Sequence, residues 1–328
     1  MNKKNILLTG GLGLIGSAVA ELLLEDGRYN IRIVDNQSST SQAYGLVGQQ
    51  LQGTEILYDD LTNLEVAKEA MQDIDICIHL AGTVGGIANF HKLPFTLLRN
   101  NNRLLDAVFS AAISQRIERI IYISSSVVYE KAKQFPTTEA YLADCPIPRS
   151  IYGLSKLGGE YYCRAAWEEY KLTYTIVRPF NAYGLGEIPG NEPGIAHVIP
   201  DLIKKVLSGQ RPIEIMGTGN QTRCFTHIKD IARALKGVID HPGAVNEDFN
   251  ISSQQETSIL DLARLIWNTL GNSPRDFQYV LQPSFEIDVQ QRRPSTEKAF
   301  RILGWKSEIA LEDGIADLIC WYRHHQLV

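Results

Sequence analysis

The 328-residue chain is 44% hydrophobic and 21% charged, which is typical of a soluble globular protein. Its net charge of -5 argues against a general nucleic-acid-binding surface, because such a surface needs clustered Lys and Arg. The length exceeds one minimal domain and suits a large α/β domain with a smaller companion.

The amino terminus, the hydropathy pattern and the cysteines indicate where the protein works. Met1-Asn2-Lys3-Lys4 leads straight into a strand-like run, so we expect no signal peptide. No apolar stretch approaches the roughly 20 residues of a membrane-spanning helix, so we expect no membrane partner. The five cysteines are odd in number and form no CxxC pair, which favours reduced thiols over disulfides or a zinc site. We therefore predict a cytoplasmic protein without a bound metal.

The first half of the chain alternates short apolar runs with amphipathic helical stretches. The predicted strands are Ile6–Leu8, Ile31–Asp35, Glu55–Tyr58, Ile76–Leu80, Ile120–Ser124 and Tyr174–Arg178. The predicted helices are Leu14–Glu25, Leu64–Met71, Arg99–Ser114 and Tyr152–Tyr170. Strands and helices that alternate in this way predict βαβ units, and hence an α/β fold with a Rossmann-type doubly wound parallel sheet.

The regular alternation ends after Phe180, where a loop rich in Gly and Pro begins. The elements expected after it are a helix at Val198–Ser208, a strand at Pro212–Met216, a helix at Ile228–Ile239 and a strand at Phe249–Ile251. The last two are expected to return to the first sheet. We therefore predict a sheet domain of residues 1–180 plus about 225–252. A smaller mixed α/β domain would comprise about 181–224 plus 253–328.

Three glycines stand in the turn between the first strand and the first helix. Gly10, Gly13 and Gly16 have the spacing G-x-x-G-x-x-G. Glycines let the backbone approach a pyrophosphate, and a helix N-terminus offers free N–H groups and positive potential. A glycine-rich turn can also be only a tight connection, but its position here favours a dinucleotide site.

Carboxylates after the second and third strands bear on which dinucleotide binds. Asp35 and Asn36 follow the glycines by about 20 residues, where a carboxylate can hydrogen-bond the adenosine ribose. No Lys or Arg occurs between Asn36 and Gln50 to pair with a 2′-phosphate, so the sequence favours NAD over NADP. The alternative is an Asp35 that only caps a turn. Asp60, followed by Leu61, is a candidate partner of the adenine amino group.

Tyr152 and Lys156 lie four residues apart, on one face of a predicted helix. A free tyrosine, with a pKa of about 10, is a poor base at neutral pH, but a nearby ammonium stabilises its phenolate. Such a pair also arises by chance in a chain with 14 tyrosines. Ser125, at the end of a predicted strand, can bond the substrate oxygen that Tyr152 deprotonates. The alternative for this serine-rich strand end is that it satisfies its own backbone.

These motifs, with Arg178-Pro179-Phe180-Asn181-Ala182-Tyr183-Gly184, resemble those of the extended short-chain dehydrogenase/reductase family. More narrowly, they are similar to its NAD-dependent nucleotide-sugar epimerases and dehydratases, such as the UDP-glucose 4-epimerases, over nearly the whole chain. The resemblance implies that Tyr152 is the catalytic base, Lys156 its partner and Ser125 the active-site hydroxyl. The residues that it implies for the NAD site are Gly10, Gly13, Leu14, Ile15, Gly16, Asp35, Asn36, Asp60, Leu61, Leu80, Ala81, Gly82, Asn100, Tyr152, Lys156 and Pro179.

The resemblance also implies a nucleotide-diphosphate sugar as the substrate, bound mainly by the smaller domain. The implied substrate-binding residues are Thr83, Ser126, Asn181, His197, Arg223 and Arg292. Asn181 and the two arginines are expected around the diphosphate, because Arg forks match phosphate oxygens. His197 is expected to line the nucleotide pocket. Taken singly, surface arginines of this kind are more often solvated.

Residues at one position of the family distinguish its reactions. The 4,6-dehydratases that this chain resembles carry Asp-Glu where it has Ser126-Val127, and the UDP-glucuronate decarboxylases carry Glu at Val127. The 3,5-epimerases and GDP-fucose synthases have Cys there, with Lys or His matching Gly190. Val cannot transfer a proton, so the resemblance implies 4-epimerisation through a transient 4-keto intermediate.

Several departures from the family keep other reactions open. Glu130 replaces the usual Gly after Tyr129, and Phe285–Asp288 lacks the Arg of many 4-epimerases. Gln290–Pro294 resembles the matching loop of the decarboxylases, and Thr83–Ile87 resembles a loop of the 3,5-epimerase and fucose-synthase subgroup. The alternatives are an oxidoreductase that forms or reduces a 4-keto nucleotide sugar, a dehydratase or decarboxylase, and a non-catalytic cofactor-binding protein.

A homodimer is expected by resemblance, through the helices near Arg99–Ser114 and Tyr152–Tyr170. Apolar residues of the first helix either serve that contact or face the core of the subunit. The residues concerned are Leu104, Leu105, Val108 and Phe109.

Overall fold

Most of the chain is described in the computed structural model. The described residues are 3–39, 46, 51, 53–83, 93–190, 196–284 and 289–327.

A parallel sheet of seven strands organises the chain, in the order β11-β6-β5-β4-β1-β2-β3. Its strands are β1 Lys4–Thr9, β2 Tyr29–Val34, β3 Glu55–Leu57, β4 Ile76–His79, β5 Arg119–Ile123, β6 Thr173–Pro179 and β11 Glu247–Ile251. All adjacent pairs are parallel. The carboxyl ends of the strands therefore meet at one edge, which is where ligands bind in open α/β sheets.

Helices cover both faces of this sheet. The α-helices of the described residues are α1 Leu14–Asp26, α2 Leu64–Ala70, α3 Pro94–Gln115, α4 Ile151–Tyr170, α5 Val198–Leu207, α6 Ile228–Asp240, α7 Ile259–Thr269, α8 Glu297–Leu303 and α9 Leu311–His324. Helices α1 and α6 pack together on one face, and α2, α3 and α4 pack side by side on the other. The two faces form separate apolar layers, with Ile78 buried in the first and Ile120 in the second. Each fully buried side chain of this size stabilises the fold by about 1.5–3 kcal/mol.

The predicted strands and helices of the first half are confirmed, and one end alone differs by more than two residues. Helix α3 begins at Pro94 rather than Arg99. Pro suits the first helical position, because the N–H that it lacks would have no partner within the helix. Strand β11 pairs with β6, so the chain returns to the first sheet as predicted. The predicted Rossmann-type fold is confirmed.

The remaining strands form three small two-stranded sheets next to a third apolar cluster. The strands are β7 Ala182–Tyr183, β8 Ile213–Met216, β9 Thr222–Cys224, β10 Thr226–His227, β12 Glu256–Ser258 and β13 Tyr279–Gln282. The pairs are β7 with β10, β9 with β12 and β8 with β13. Trp267 and Tyr322 are buried in this cluster. The boundaries given above for the two domains stay a prediction.

The lengths and compositions of the helices bear on whether the chain could cross a membrane. Among the described residues, no helix combines the length and the apolar character that crossing a bilayer requires.

Candidate active site

The glycine turn after β1 is shaped for close backbone approach. Gly10 has a φ of +66° and donates its N–H to the Val34 carbonyl at 2.7 Å. A Cβ at Gly10 would lie 2.8 Å from the Ala81 backbone, and one at Gly16 would lie 2.6 Å from the Gly10 carbonyl oxygen. Only glycine therefore allows α1 to begin directly against the turn and the end of β4.

The start of α1 offers donors to a ligand. Gly13 precedes the helix without a side-chain cap, and Leu14 and Ile15 form its half-buried first turn. Backbone N–H groups at a helix start have no partner within the helix and favour an anion. The turn therefore fits the pyrophosphate of a dinucleotide.

Asp35 is held at the end of β2 by two backbone N–H groups. Its carboxylate accepts from Leu12 at 3.0 Å and from Gln37 at 2.8 Å. Burial raises its pKa, while these hydrogen bonds act in the opposite direction. Asp35 thus caps a turn and also joins β2 to the glycine turn. Each oxygen keeps a further lone pair, which fits a ribose hydroxyl.

The other predicted cofactor residues follow the neighbouring strands. Ala81, between Leu80 and Gly82, donates its N–H to the Thr9 hydroxyl at 3.2 Å, and Thr9 in turn bonds His79 Nδ1 at 2.7 Å. The remaining four are Asn36, an exposed Asp60, a buried Leu61 and Pro179, the last residue of β6. Asn36, Asp60, Pro179 and the segment Leu80–Gly82 stand at or just after the carboxyl end of a strand. Leu61 follows Asp60, but its side chain is buried.

The two adjacent asparagines of α3 have different environments. Asn100, the predicted cofactor residue, is half-buried, whereas Asn101 is buried and makes three hydrogen bonds. Its side chain accepts from the Thr83 N–H at 2.7 Å and donates to the Thr83 carbonyl and to Ser155 Oγ. Asn101 ties the loop after β4 to α4. The signal in the sequence is its spacing of four from Leu97 and Leu105, which places it on the apolar stripe of α3.

Ser125, Tyr152 and Lys156, with Arg292 beside them, form what we term the catalytic cluster. Tyr152 and Lys156 lie one turn apart near the start of α4, and both are buried. The Ser125 hydroxyl, at the end of β5, is hydrogen-bonded to the Tyr152 phenol. It also accepts from the Val127 N–H at 3.3 Å. The structure therefore brings all three predicted catalytic residues together.

Burial and two neighbours act on Tyr152. Burial raises the pKa of Tyr152 to about 12, whereas the hydrogen bond from Ser125 and the positive charge of Arg292 each lower it. The sequence predicted this role for Lys156, whose ammonium lies 6.0 Å from the centre of the Tyr152 ring. Arg292 is a further cation at this site, and its positive charge lowers the pKa of Tyr152. It reaches the cluster from the far end of the chain and donates to Ser126 Oγ at 3.2 Å.

Lys156 is fixed by β5 and by a glycine in its own helix. Its ammonium donates to the Ile123 carbonyl at 2.9 Å, and burial lowers its pKa to about 8. A Cβ at Gly159 would lie 2.2 Å from the Tyr122 ring, so glycine lets α4 rest directly on that ring. The ammonium faces Gly82, whose Cβ would lie 3.6 Å from it. Lys156 thus stands between the catalytic residues and the predicted cofactor loop.

A buried ion pair that sequence reasoning missed lies behind the cluster. Glu160 and Arg178 are both fully buried and joined by two hydrogen bonds of 2.7 Å. Glu160 also accepts from the Ser124 hydroxyl at 2.7 Å. Arg178 donates to the Tyr129 hydroxyl at 2.8 Å and pairs with Asp248 at 2.8 Å. Glu160 follows Tyr152 and Lys156 at intervals of four, so one face of α4 carries the predicted base, the Lys156 ammonium and the carboxylate that pairs with Arg178.

Three of the predicted substrate residues line a cavity of about 190 Å³, which we call the Asn181 cavity. Asn181, at a φ of +40°, donates to the Cys224 carbonyl at 3.0 Å, and Arg223 donates to the Val289 carbonyl at 2.6 Å. His197 Nδ1 lies 2.7 Å from the buried carboxylate of Glu187, which raises the pKa of His197. Glu187 is a residue that the sequence did not single out.

The predicted substrate residues therefore fall into two groups. Asn181, His197 and Arg223 line the Asn181 cavity. Ser126 and Arg292 stand at the catalytic cluster, and Thr83 is tied to it through Asn101. Arg292, expected around a diphosphate, thus contacts the end where a sugar would react. The predictions for Val84–Ile87 and Phe285–Asp288 lie outside the described residues.

An apolar residue occupies the position that distinguishes the reactions of the family. Val127 is buried and packs with Leu97 and Tyr152. It has no group that can exchange a proton. The catalytic cluster therefore has apolar surface on this side of Tyr152.

Comparison with known proteins agrees with this geometry. Residues 6–252 match the NAD dependent epimerase/dehydratase family. A UDP-N-acetyl-alpha-D-glucosaminuronate decarboxylase of Bacillus cytotoxicus is 30% identical, over 98% of both chains. The match confirms the resemblance predicted from the sequence and its cofactor, NAD.

Two solved structures have the same architecture. A UDP-glucose 4-epimerase of Thermotoga maritima with UDP-glucose has a TM-score of 0.85 at 27% identity, covering 98% of this chain and 99% of its own. A UDP-glucuronic acid 4-epimerase of Bacillus cereus, in complex with UDP-glucuronic acid and NAD, has a TM-score of 0.87 at 27% identity and the same coverage.

Proposed function

Since the chain belongs to the NAD dependent epimerase/dehydratase family, we propose that it is a nucleotide-sugar epimerase that inverts C4 through a transient 4-keto intermediate. The catalytic cluster would carry the reaction, and the Asn181 cavity would hold the nucleotide part of the substrate. The glycine turn, Asp35 and the segment Leu80–Gly82 would hold the cofactor, together with Lys156.

The observation that carries this proposal is the environment of Tyr152. Ser125 is hydrogen-bonded to the phenol, while buried Val127 packs against the same side chain. Elimination of water or decarboxylation needs a further acid or base beside the sugar. At the position where the dehydratases and decarboxylases resembled by this chain carry a carboxylate, it has Val127. Inversion at C4 needs only the residues of the catalytic cluster.

The chemistry of the protein side chains is a proton transfer at one substrate oxygen. Tyr152, in its phenolate form, would accept the proton of the C4 hydroxyl while Ser125 donates a hydrogen bond to the same oxygen. The chemistry that bound NAD would supply is reversible acceptance of the C4 hydride. Tyr152 would give the proton back once the sugar has presented its other face. The pKa of Tyr152 stands at about 12 because burial outweighs the lowering by the Ser125 hydroxyl and by the charge of Arg292. Both groups stabilise the phenolate, and loss of either would raise this pKa further.

A nucleotide-sugar oxidoreductase is the second candidate. The same Tyr152, Lys156 and Ser125 suffice to reduce a 4-keto sugar or to leave one as the product. The difference is in the cofactor, because an epimerase regenerates NAD in each cycle, whereas an oxidoreductase must exchange it.

The experiment follows from that difference. The purified protein is denatured and assayed for released NAD and NADH, and intact protein is incubated with a panel of UDP, dTDP, GDP and CDP sugars without added cofactor. Bound NAD and a stereoisomeric product of unchanged mass are the expected result. Protein that is inert until NAD or NADH is added, and then gives net redox, would identify an oxidoreductase. A product with altered mass would indicate a dehydratase or decarboxylase.

For the assembly we propose a homodimer through the outer faces of α3 and α4. Leu104, Leu105, Val108 and Phe109 face the core of the subunit, so they are not the contact. Exposed Tyr161 and half-exposed Leu154 and Tyr162 remain on the outer face of α4. Analytical ultracentrifugation of the wild type and of Tyr161→Glu tests this, with a shift to monomer expected for the variant.

A further inference from the structure

Glu130 joins the segment that carries Ser125 to the helix that carries Tyr152. Its carboxylate accepts from the backbone N–H of Arg149 at 2.9 Å with one oxygen and from that of Ser150 at 3.1 Å with the other. The side chain is buried although it is ionisable. This is the residue that replaces the usual Gly of the resembled family.

At one end of this connection, the segment from Ser125 to Glu130 is short and internally hydrogen-bonded. Ser125 and Glu130 flank the single 3-10 turn Ser126–Tyr129, and the Glu130 N–H donates to the Val127 carbonyl at 3.0 Å. Four residues therefore separate Ser125 from Glu130. A displacement of Glu130 is transmitted through this turn to Ser125.

The other end of the connection is the first turn of α4. Ser150 caps this helix through the Gly153 N–H at 3.1 Å, and Tyr152 is its second residue. A Cβ at Gly153 would lie 2.6 Å from Pro148, so the start of the helix lies close against the preceding loop. The N–H groups that donate to Glu130 belong to the two residues just before the helix, and the helix itself offers them no acceptor.

We propose that Glu130 is a positioning residue that sets the separation between the Ser125 hydroxyl and the Tyr152 phenol. This inference rests on the proposed roles of those two residues. Each of the two adjacent backbone donors meets its own oxygen of the Glu130 carboxylate, which supplies both acceptors. An amide supplies one acceptor and turns its NH2 group toward the second donor. Glycine supplies no acceptor.

The test compares Glu130→Gln and Glu130→Gly with the wild type. Two controls are Glu118→Gln, which makes the same chemical change at a half-exposed glutamate paired with Lys4, and Ser258→Ala, which removes a cap of the distant α7. The measurements on each protein are kcat, KM for the nucleotide sugar, bound NAD and the midpoint of urea unfolding. Tyr152→Phe is measured alongside.

We expect kcat to fall about tenfold in Glu130→Gln and further in Glu130→Gly, because small displacements of catalytic groups cost rate steeply. KM and bound NAD are expected to stay within about twofold of the wild type, because Glu130 contacts neither ligand. Both controls should keep the wild-type kcat.

Each other outcome overturns the proposal. An unchanged kcat would make Glu130 a cap with no effect on the reaction. A lower unfolding midpoint at constant kcat, a joint change of KM and kcat, or failure of both variants to fold would show a structural role only. If Tyr152→Phe stays active, the proposed function itself fails, and that result is distinct from an active Glu130→Gln beside an inactive Tyr152→Phe.

Discussion

At the catalytic cluster Tyr152 is 9% exposed and Lys156 7%, whereas at the Asn181 cavity the His197 side chain keeps 51% of its surface exposed. Tyr152 and Lys156 belong to the long helix α4, and their side chains lie at the end of strand β5. His197 stands at the start of α5, after a loop. Burial moves the pKa of Tyr152 up and that of Lys156 down, while the pKa of His197 is moved mainly by one carboxylate.

The two regions also differ in what lies behind them. Behind the cluster, Glu160 and Arg178 are fully buried and bond each other twice. Behind His197, Glu187 is held through its backbone, whose carbonyl accepts from the Tyr322 hydroxyl at 2.8 Å. The groups for which we propose a proton transfer are thus enclosed by regular elements, while the groups that we propose to bind the nucleotide lie at loop ends.

The largest effect is expected from Tyr152→Phe, which removes only the phenolic oxygen from the enclosed cluster. Turnover should fall by at least about 10³-fold, because no other group of the cluster can act as the base. Bound NAD should be unchanged, since the glycine turn, Asp35 and Lys156 remain. Single-turnover rates and the NAD released on denaturation measure the two effects.

Tyr170→Phe is the matched control, because it makes the same change on an exposed residue at the other end of α4. A Tyr152→Phe enzyme with a rate near that of the wild type would show that the base has been assigned wrongly.

Glu160→Gln tests whether the arrangement of the catalytic cluster depends on the buried Glu160–Arg178 ion pair behind it. Loss of one partner leaves Arg178 buried with less compensation, which typically costs about 3–5 kcal/mol. The free energy of urea unfolding should fall by that amount. The amide keeps an acceptor for the Ser124 hydroxyl but turns its NH2 group toward Arg178, so kcat should fall as well because the ion pair behind the cluster is lost. The same substitution at Glu118, a half-exposed partner of Lys4, should change unfolding little. Equal unfolding curves for the two variants would mean that the pair does not support the cluster.

The sequence allowed prediction of the sheet and the catalytic trio because their signals are local. Alternating apolar runs predict the strands, and a spacing of four places Tyr152 and Lys156 on one helical face. The ion pair could not be found in this way, since Glu160 and Arg178 come from a helix and the following strand and no local pattern shows that their side chains meet. Arg292 meets Ser126 from 166 residues away, and only the tertiary structure shows that its charge acts on Tyr152.

Arg292→Gln tests that long-range contact through the pH dependence of the rate. Arg292 lowers the pKa of Tyr152, so its loss should raise this pKa and move the ascending limb of kcat against pH to higher pH by about one unit. At neutral pH the rate should then be about tenfold lower. Arg293→Gln makes the same change at the exposed neighbouring residue and should keep the wild-type profile. Identical profiles for the two variants would remove Arg292 from the stabilisation of the phenolate.

Glu187→Gln is expected to have the smallest effect, because it removes only one negative charge, beside His197 at the Asn181 cavity. Glu187 Oε1 accepts from both the backbone N–H and Nδ1 of His197, and Oε2 has no hydrogen-bond partner among the described residues. An amide keeps both contacts and turns its NH2 group toward the position without a donor.

Because Glu187 raises the pKa of His197, the protonated imidazole persists to higher pH in the wild type than in Glu187→Gln. At about pH 5.5 both imidazoles are protonated and KM for the nucleotide sugar should match. Above about pH 7 only the variant has lost the charge, and its KM should rise about threefold at constant kcat. A KM ratio that does not change with pH would mean that His197 binds through shape or a neutral hydrogen bond. Control of a pKa by a neighbouring charge would then matter for the reaction at the catalytic cluster but not for binding at the Asn181 cavity.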